Sequence, residues 1–223
     1  MIETKNNIVN WKDDDHFGSD LSLYYGESPL VELKVSTGES KIVVVWDGYA
    51  EQVRTHSIKQ VQSNYKQTVL CRDGNCPLCI VGEKVYARLL IPVYSVGSGD
   101  VEILQFLKFD EYKSLYSQVK SILKQADFPL ALEICREDIF AYDVRKIEIP
   151  GDKLASIKTQ VESFLNSIKD GTTTMSDIFK EVDNSLLNDP SLRRKLEFKG
   201  YDYKKFLVED HSEANSVADM FAM

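Results

Sequence analysis

Three of the four cysteines in this chain lie between positions 71 and 79, and a histidine lies upstream of them. The run Cys76-Pro77-Leu78-Cys79 is a C-x-x-C pair, which lets two thiolates approach one ion from the same side. Cys71 and His56 would complete the tetrahedral coordination that zinc prefers. The other two histidines lie near the ends of the chain, so His56 is the best candidate for the fourth ligand. This pattern predicts one structural zinc ion. The alternative is a hairpin whose cysteines are small buried hydrophobic side chains.

The composition favours a folded protein that keeps its thiols reduced. The chain has 223 residues, of which 43% are hydrophobic and 28% charged, as is typical of a domain with a sizeable core. The first residues lack the basic start and apolar stretch of a signal peptide, and no apolar run is long enough to span a membrane. We therefore expect an unexported protein with no membrane contact, in which thiols are more often metal ligands than disulfides. The remote Cys135 is expected to be an ordinary core residue.

The charge of the chain is unevenly distributed. The net charge is -8, yet residues 51–90 contain six Lys or Arg against three Asp or Glu. Residues 1–20 contain five acidic residues against two lysines, and no Lys or Arg follows Phe206. A cationic centre with acidic ends is compatible with a polyanionic partner, although ordinary solvated faces would give the same counts.

The pattern of strands and turns predicts a mostly β core. Residues 1–28 are polar and irregular and are expected to form an N-terminal arm. Strand-forming runs at 30–36 and 41–47 flank a turn at Gly38 and predict a β-hairpin. Alternation of apolar residues predicts strands over 84–96 and 101–109, and two more strand-like runs cover 130–135 and 139–149.

One helix separates the two groups of strands, and others follow the core. The first is predicted over 110–124, with Asp110 as its cap. Few residues lie between these elements, which indicates an OB-type barrel over residues 29–150 with a zinc subdomain at 51–84. Helical spacing recurs over 154–168 and 178–186, and Asp189-Pro190 starts a third helix. We expect residues 151–207 to form a helical extension packed on the core.

The runs VLCRDGNCPLC, VYARLLIPVY and VEILQFLKFDEYKSLYSQV resemble the core of the single-stranded-DNA-binding proteins of T-even bacteriophages. The resemblance covers residues 31–149. It implies an OB fold with an inserted zinc subdomain whose ion is held by one His and three Cys, the last two in a C-P-x-C turn. His56, Cys71, Cys76 and Cys79 match those roles in the same order. The resemblance also implies a protein that coats and protects single-stranded DNA in phage replication, recombination and repair, in the cytoplasm of the infected bacterium.

That family binds DNA cooperatively through a basic N-terminal arm. Here the corresponding region contains Lys12-Asp13-Asp14-Asp15, so the sequence leaves cooperative self-association on DNA open.

The residue types of the central region suit single-stranded DNA, because such binding requires cations for phosphates and aromatic faces for bases. Tyr86, Arg88 and Tyr94 share one face of a predicted strand. Each aromatic ring has the alternative of packing in the core. The predicted DNA-contacting residues are Arg54, Lys59, Tyr65, Lys66, Arg72, Lys84, Tyr86, Arg88, Tyr94, Phe106, Lys108 and Tyr142.

Enzyme functions find no support in the motifs. A zinc deaminase requires H-x-E and P-C-x-x-C, whereas His56-Ser57-Ile58 lacks the glutamate. A site filled by three cysteines and one histidine has no open position for water. We therefore expect no catalysis. The rival from another class is a zinc-containing protein-docking adaptor in phage transcription or replication, which an exposed apolar patch beside the hairpin would favour.

The last residues, 208–223, form an acidic tail with a few apolar residues. Such a peptide suits docking to basic, apolar-lined pockets of replication or recombination proteins, and the alternative is an end with no role. The tail residues predicted to bind partners are Glu209, Asp210, Glu213, Asp219 and Phe221.

Overall fold

The computed structural model describes residues 8–10, 30–59, 66–72, 74–107, 114–138, 141–182 and 184–207. Within these residues the chain is mostly β with added helices, as its sequence predicts. None of the helices described is long and apolar enough to cross a membrane. The strands are β1 Ile8–Asn10, β2 Ser40–Val45, β3 Tyr49–Lys59, β4 Lys66–Leu70, β5 Val85–Ser95, β6 Asp100–Leu107, β7 Leu130–Arg136 and β8 Tyr142–Ile147. The helices are α1 Pro77–Ile80, α2 Leu115–Leu123, α3 Gly151–Lys169, α4 Asn184–Leu187 and α5 Pro190–Phe198, with 3-10 turns at Met175–Ile178 and Tyr203–Phe206.

Strand β5 is the centre of one antiparallel sheet. Its first half pairs with β3, and its opposite edge pairs with β6 over eight residues. Its last residues, Tyr94 and Ser95, pair with β2, which continues the sheet to β7 and β8. Strands β1 and β4 pair with the two ends of β3. The strand pairs among the described residues do not close this sheet, so a closed OB-type barrel stays a prediction.

The two faces of β5 contribute to different cores. Leu89, Ile91 and Val93 belong to the principal core, which lies between the sheet and α2. Leu90 points to the opposite side, where it packs with Ile168 at the end of α3 and with the following 3-10 turn. Side chains alternate in this way because successive residues of a strand face opposite sides. The helical extension therefore covers the second face of the sheet.

A separate core joins the last helices to the segment that carries the three clustered cysteines, residues 71–72 and 74–81, which is called the hairpin below. Cys71, Cys76 and Leu78 are buried against Leu187 and Leu196 of α4 and α5. Burial of each such side chain contributes about 1.5–3 kcal/mol of hydrophobic stabilisation. The hairpin is therefore an integral part of this second core and not an appendage of the sheet.

The hairpin predicted for residues 30–47 is wrong. The turn exists, because the Glu39 amide donates to the Ser36 carbonyl at 3.0 Å, but β2 pairs with β5 and β7. Residues before the turn lie along β6 instead, where Glu32 forms a parallel bridge with Ile103. Leu33 and Val35 fill the principal core from this position.

The helix predicted over residues 178–186 is also wrong. The backbone at Lys180 forms a parallel bridge with Val69 of β4, and the Lys180 carbonyl accepts from the Leu70 amide at 2.9 Å. This pairing requires extended backbone, so only the short α4 follows. Helix α2 begins after Ser114, whose side chain accepts from the Ser117 amide, and the predicted cap Asp110 lies outside the described residues.

Candidate metal centre and binding groove

The four predicted ligands converge at one point. The ligand atoms of His56, Cys71, Cys76 and Cys79 all lie within 4.8 Å of one another. Nε2 of His56 is 3.4 Å from Sγ of Cys76 and 3.5 Å from Sγ of Cys79, and the Cys71 and Cys79 sulfurs are 3.4 Å apart. A tetrahedral zinc site places nitrogen and sulfur about 3.6 Å apart and two sulfurs about 3.8 Å apart. The observed spacing therefore fits a structural metal such as zinc.

His56 is fixed by the sheet. It lies on β3 between Val69 of β4 and Val85 of β5, and its side chain is fully buried. Its Nδ1 lies 3.2 Å from the backbone carbonyl of Lys84. A carbonyl only accepts, so Nδ1 carries the proton and Nε2 presents its lone pair to the cysteines. This arrangement orients a metal-binding imidazole in the way that a supporting carbonyl does in known sites.

The cysteines are placed by two short features. Gly74 has a φ of +55° and permits the turn that follows Cys71. Cys76 immediately precedes α1, and Pro77 occupies the first helical position, where its missing N–H leaves no donor unsatisfied. Cys79 then returns on the same short helix to the side of Cys76. The local sequence thus determines both the turn and the reach of the C-x-x-C pair.

The thiols are electrostatically distinct from ordinary cysteines. A hydrogen bond from Cys71 lowers the pKa of Cys76, and the backbone N–H groups of Cys79 and Arg72 act in the same direction. The same Cys71–Cys76 bond, together with burial, raises the pKa of Cys71. The cluster thus favours a thiolate at Cys76, and thiolate is the form that binds metal.

Arg72 joins this centre to the end of the chain. Its guanidinium donates to the carbonyls of Phe206 and Val182, and Glu181 lies 4.0 Å away. Only about a sixth of the side chain is exposed. Arg72 therefore anchors the hairpin to the last helices, and its predicted DNA contact stays a prediction.

A groove of about 560 Å³ lies between residues 32–36, β6, the start of α2 and the ends of β7 and β8. Three residues predicted to contact DNA line it, namely Arg88, Phe106 and Tyr142. Arg88 donates to Thr55 at 2.9 Å and to Gln105 at 2.7 Å, and burial lowers its pKa. Phe106 is only 2% exposed and packs edge-to-face on Tyr116 at 6.0 Å, so it forms part of the floor of the groove.

Sequence reasoning missed two cations of this groove, Lys34 and Arg136. Arg136 donates to the carbonyls of Val35 and Asp138, and its guanidinium lies 5.7 Å from the centre of the Tyr142 ring. The only local indication of a role for Arg136 is that it directly follows the predicted strand that ends at Cys135. The local sequence does not indicate that Lys34 lines a groove, because residues 30–36 are predicted to form one strand of a hairpin.

The remaining predicted DNA residues are dispersed. Lys84 is exposed, with its ammonium 5.1 Å from the centre of the Tyr86 ring, and Arg54 is exposed on β3. Tyr94 packs against α3 with Val161 and Leu165. Other predicted sites lie outside the described part of the chain: Tyr65, Lys108, the side chains of Lys59 and Lys66, and the tail residues Glu209, Asp210, Glu213, Asp219 and Phe221.

Comparison of the whole chain with protein-family models, with characterised protein sequences and with solved structures found no match.

Proposed function

We propose that this protein binds single-stranded DNA through the groove and that one structural zinc ion holds its hairpin. The observation that carries the proposal is the groove itself, which brings together three residues chosen from sequence as DNA contacts. Binding without sequence preference requires a cationic track and aromatic faces. The groove supplies cations at Lys34 and Arg136 and a ring at Tyr142.

The charge balance in the groove supports an anionic ligand. Lys34, Arg88 and Arg136 contribute three cations against one carboxylate, Glu32. Burial raises the pKa of Glu32, although Lys34 and Arg88 act in the opposite direction. The groove is therefore a positive site in a chain with a net charge of -8.

The proposed architecture is an OB-type core with an inserted zinc hairpin. Strands β1 to β6 precede α2, and β7 and β8 follow it. The proposal places α2 between the third and fourth barrel strands and treats the three extra strands of the first group as additions to the barrel. Single-stranded DNA is a common ligand of such cores. The protein would coat and protect DNA in phage-type replication, recombination or repair, without catalysis of its own.

The zinc would be held by His56, Cys71, Cys76 and Cys79 and would have a structural role. Four protein ligands leave no open position at the metal for water or substrate. The ligands come from β3, from the end of β4 and from α1, so the ion would join the sheet to the second core. Its contribution would be to folding of the hairpin and not to chemistry.

The rival function is a protein-docking adaptor. An exposed apolar patch beside the hairpin would favour it. The apolar hairpin residues Leu78, Ile80 and Val81 pack with the core formed by α4 and α5 and supply no such patch. The exposed rings beside the hairpin, Phe198 and Tyr201, lie in a segment rich in Lys and Arg, which favours the DNA proposal over an apolar docking surface.

The test is the affinity of groove variants for oligothymidine. Tyr142→Ala should weaken binding by about 1–3 kcal/mol if the ring stacks on a base, and Tyr142→Phe should retain most of the affinity. Lys34→Ala should reduce the salt dependence of binding, because it removes one phosphate contact. Lys146→Ala on the exposed face of β8 is the matched control and should bind like wild type. Wild-type affinity in both Tyr142→Ala and Lys34→Ala would refute the groove as the site.

A further inference from the structure

The surface of α5 presents the most exposed aromatic ring in the described part of the chain. Phe198 is 90% exposed, and Tyr201 and Leu207 are 47% and 37% exposed. The helix buries Leu192 and Leu196 on its inner face. Arg194 lies four residues before Phe198, so the two side chains are neighbours on the outer face. Packing among the described residues does not explain a phenylalanine that is 90% exposed beside an arginine.

The same segment is strongly cationic. Residues 190–207 contain six Lys or Arg against two acidic residues, in a chain whose net charge is -8. Arg193 is engaged internally, with its guanidinium 4.2 Å from the centre of the Tyr203 ring, and Lys195 pairs with Glu83 at 2.8 Å. The other four cations, Arg194, Lys199, Lys204 and Lys205, are exposed.

The end of α5 brings these residues to one place. Gly200 has a φ of +81°, and the amide of Tyr201 donates back to the carbonyl of Leu196 at 3.0 Å. This reversal ends the helix and returns the chain across its terminus. The Tyr201 ring lies 6.3 Å from the Phe206 ring, which places the 3-10 turn carrying Lys204 and Lys205 beside it. The turn that carries Lys204 and Lys205 therefore follows directly on the C-terminal end of α5, beside the Tyr201 ring.

We propose that this α5 surface, formed by Arg194, Phe198, Lys199, Tyr201, Lys204 and Lys205, is a second contact site for single-stranded nucleic acid. The inference rests on the proposed function and extends it to a part of the chain outside the groove. Exposed rings among cations are what sequence-independent binding of single strands requires. A protein partner is less suited, because lysine is depleted from the centres of protein interfaces.

The α5 surface is connected to the groove by residues of β5. The Lys195–Glu83 ion pair places α5 beside the start of β5, where Lys84 lies over Tyr86. Tyr86 and Arg88 follow at alternate positions of the strand, and Arg88 lines the groove. The four residue steps from Lys84 to Arg88 span about 13 Å of extended chain. A single DNA strand would thus run from the groove past Tyr86 to the α5 surface.

The test compares short and long oligothymidines with the full-length zinc-loaded protein. A short oligonucleotide of about 6 nucleotides should occupy the groove alone, whereas one of about 20 should also reach α5. Phe198→Ala should weaken binding of the long oligonucleotide by about 5- to 150-fold and leave the short one unchanged. The double variant Arg194→Ala/Lys199→Ala should lower the salt dependence for the long oligonucleotide only. Lys153→Ala/Lys158→Ala on α3 removes the same charge from another exposed helix and is the control.

The outcomes separate this inference from the function on which it rests. If wild-type protein bound neither oligonucleotide, the proposed function would be refuted, and this inference with it. If wild type bound both and Phe198→Ala bound the long one equally well, only the α5 site would be refuted. Tighter binding by the variant, as expected if the surface holds the acidic tail instead, would also overturn it.

Discussion

A buried carboxyl group should make the stability of this protein depend on pH. Glu51 lies on β3 beneath the 3-10 turn after α3, where its carboxylate accepts hydrogen bonds from the Ser176 hydroxyl and from the backbone N–H groups of Met175 and Ser176. Burial outweighs these bonds and raises the pKa of Glu51 to about 7 from an ordinary value of 4.5, with a further contribution from nearby Asp177. The folded state therefore binds this proton more tightly than the unfolded chain does.

The size of the effect follows from the shift in pKa. A rise from 4.5 to about 7, at about 1.4 kcal/mol per unit, corresponds to about 3 kcal/mol of unfolding free energy. Because the folded pKa is the higher one, this stabilisation is complete below about pH 4.5 and is lost as the pH rises through about 7. Glu51→Gln removes the titrating group and should remove this loss.

Urea unfolding at pH 5 and pH 8, with saturating zinc, measures the effect. Between these values wild type should lose about 2.5 kcal/mol more stability than Glu51→Gln does, slightly less than the full effect because pH 5 lies above the unfolded pKa of 4.5. Other groups that titrate in this range, including Asp177, whose pKa burial raises to about 6, remain in both proteins, and their contributions largely cancel in the comparison. Glu148→Gln, at an exposed position, should behave like wild type. The same pH dependence in wild type and Glu51→Gln would refute the assignment of a buried, protonated Glu51.

Three further predictions concern the second core and the tail. Removing the metal with a chelator, or by Cys76→Ser, should increase hydrogen exchange in β4, α1, α4 and α5 together, because these elements share one core. The amides of β5 to β7 should stay protected. Increased exchange in α1 alone would contradict this coupling. Leu196→Ala should cost about 2–5 kcal/mol in urea unfolding, since the side chain is fully buried, and a cost below 1 kcal/mol would contradict the packing described. Deleting residues 208–223 should preserve the metal content and the fold. The affinity for oligothymidine at low salt should be equal or higher. Binding to a replication partner, such as the cognate polymerase or helicase loader, should be abolished. Weaker DNA binding with intact partner binding would assign the tail to the DNA site.

Features that depend on local patterns could be predicted from the sequence. The strands β5 and β6 follow from alternation, and α5 follows from Asp189-Pro190, whose carboxylate caps the first turn. The cluster of His56 with three cysteines follows from residue type and spacing, because a C-x-x-C pair with a third cysteine and a histidine is a common zinc-binding pattern. Each of these conclusions required only neighbours in sequence.

Features that depend on distant partners could not be predicted. Residues 30–36 have a strand-like pattern, yet nothing local shows that they pair with β6 in parallel. The apolar spacing at 178–186 suits a helix, but the backbone hydrogen bond from Leu70 to Lys180 outweighs that preference. The local sequence predicts Arg72 as a phosphate contact, since it shows no partner for the guanidinium. The backbone acceptors of Arg72, Val182 and Phe206, lie more than a hundred positions away. Such cations can be assigned only when their partners are known.

A fluorescence titration of the zinc-loaded protein with oligothymidine and with a duplex of equal length tests the central claim most directly. Single strands should bind more tightly than duplex. Log affinity should fall against log salt with a slope near -3, if roughly four phosphates are neutralised at about 0.7 each. Equal affinity for single-stranded and duplex DNA, or no binding of either at low salt, would refute the proposed function.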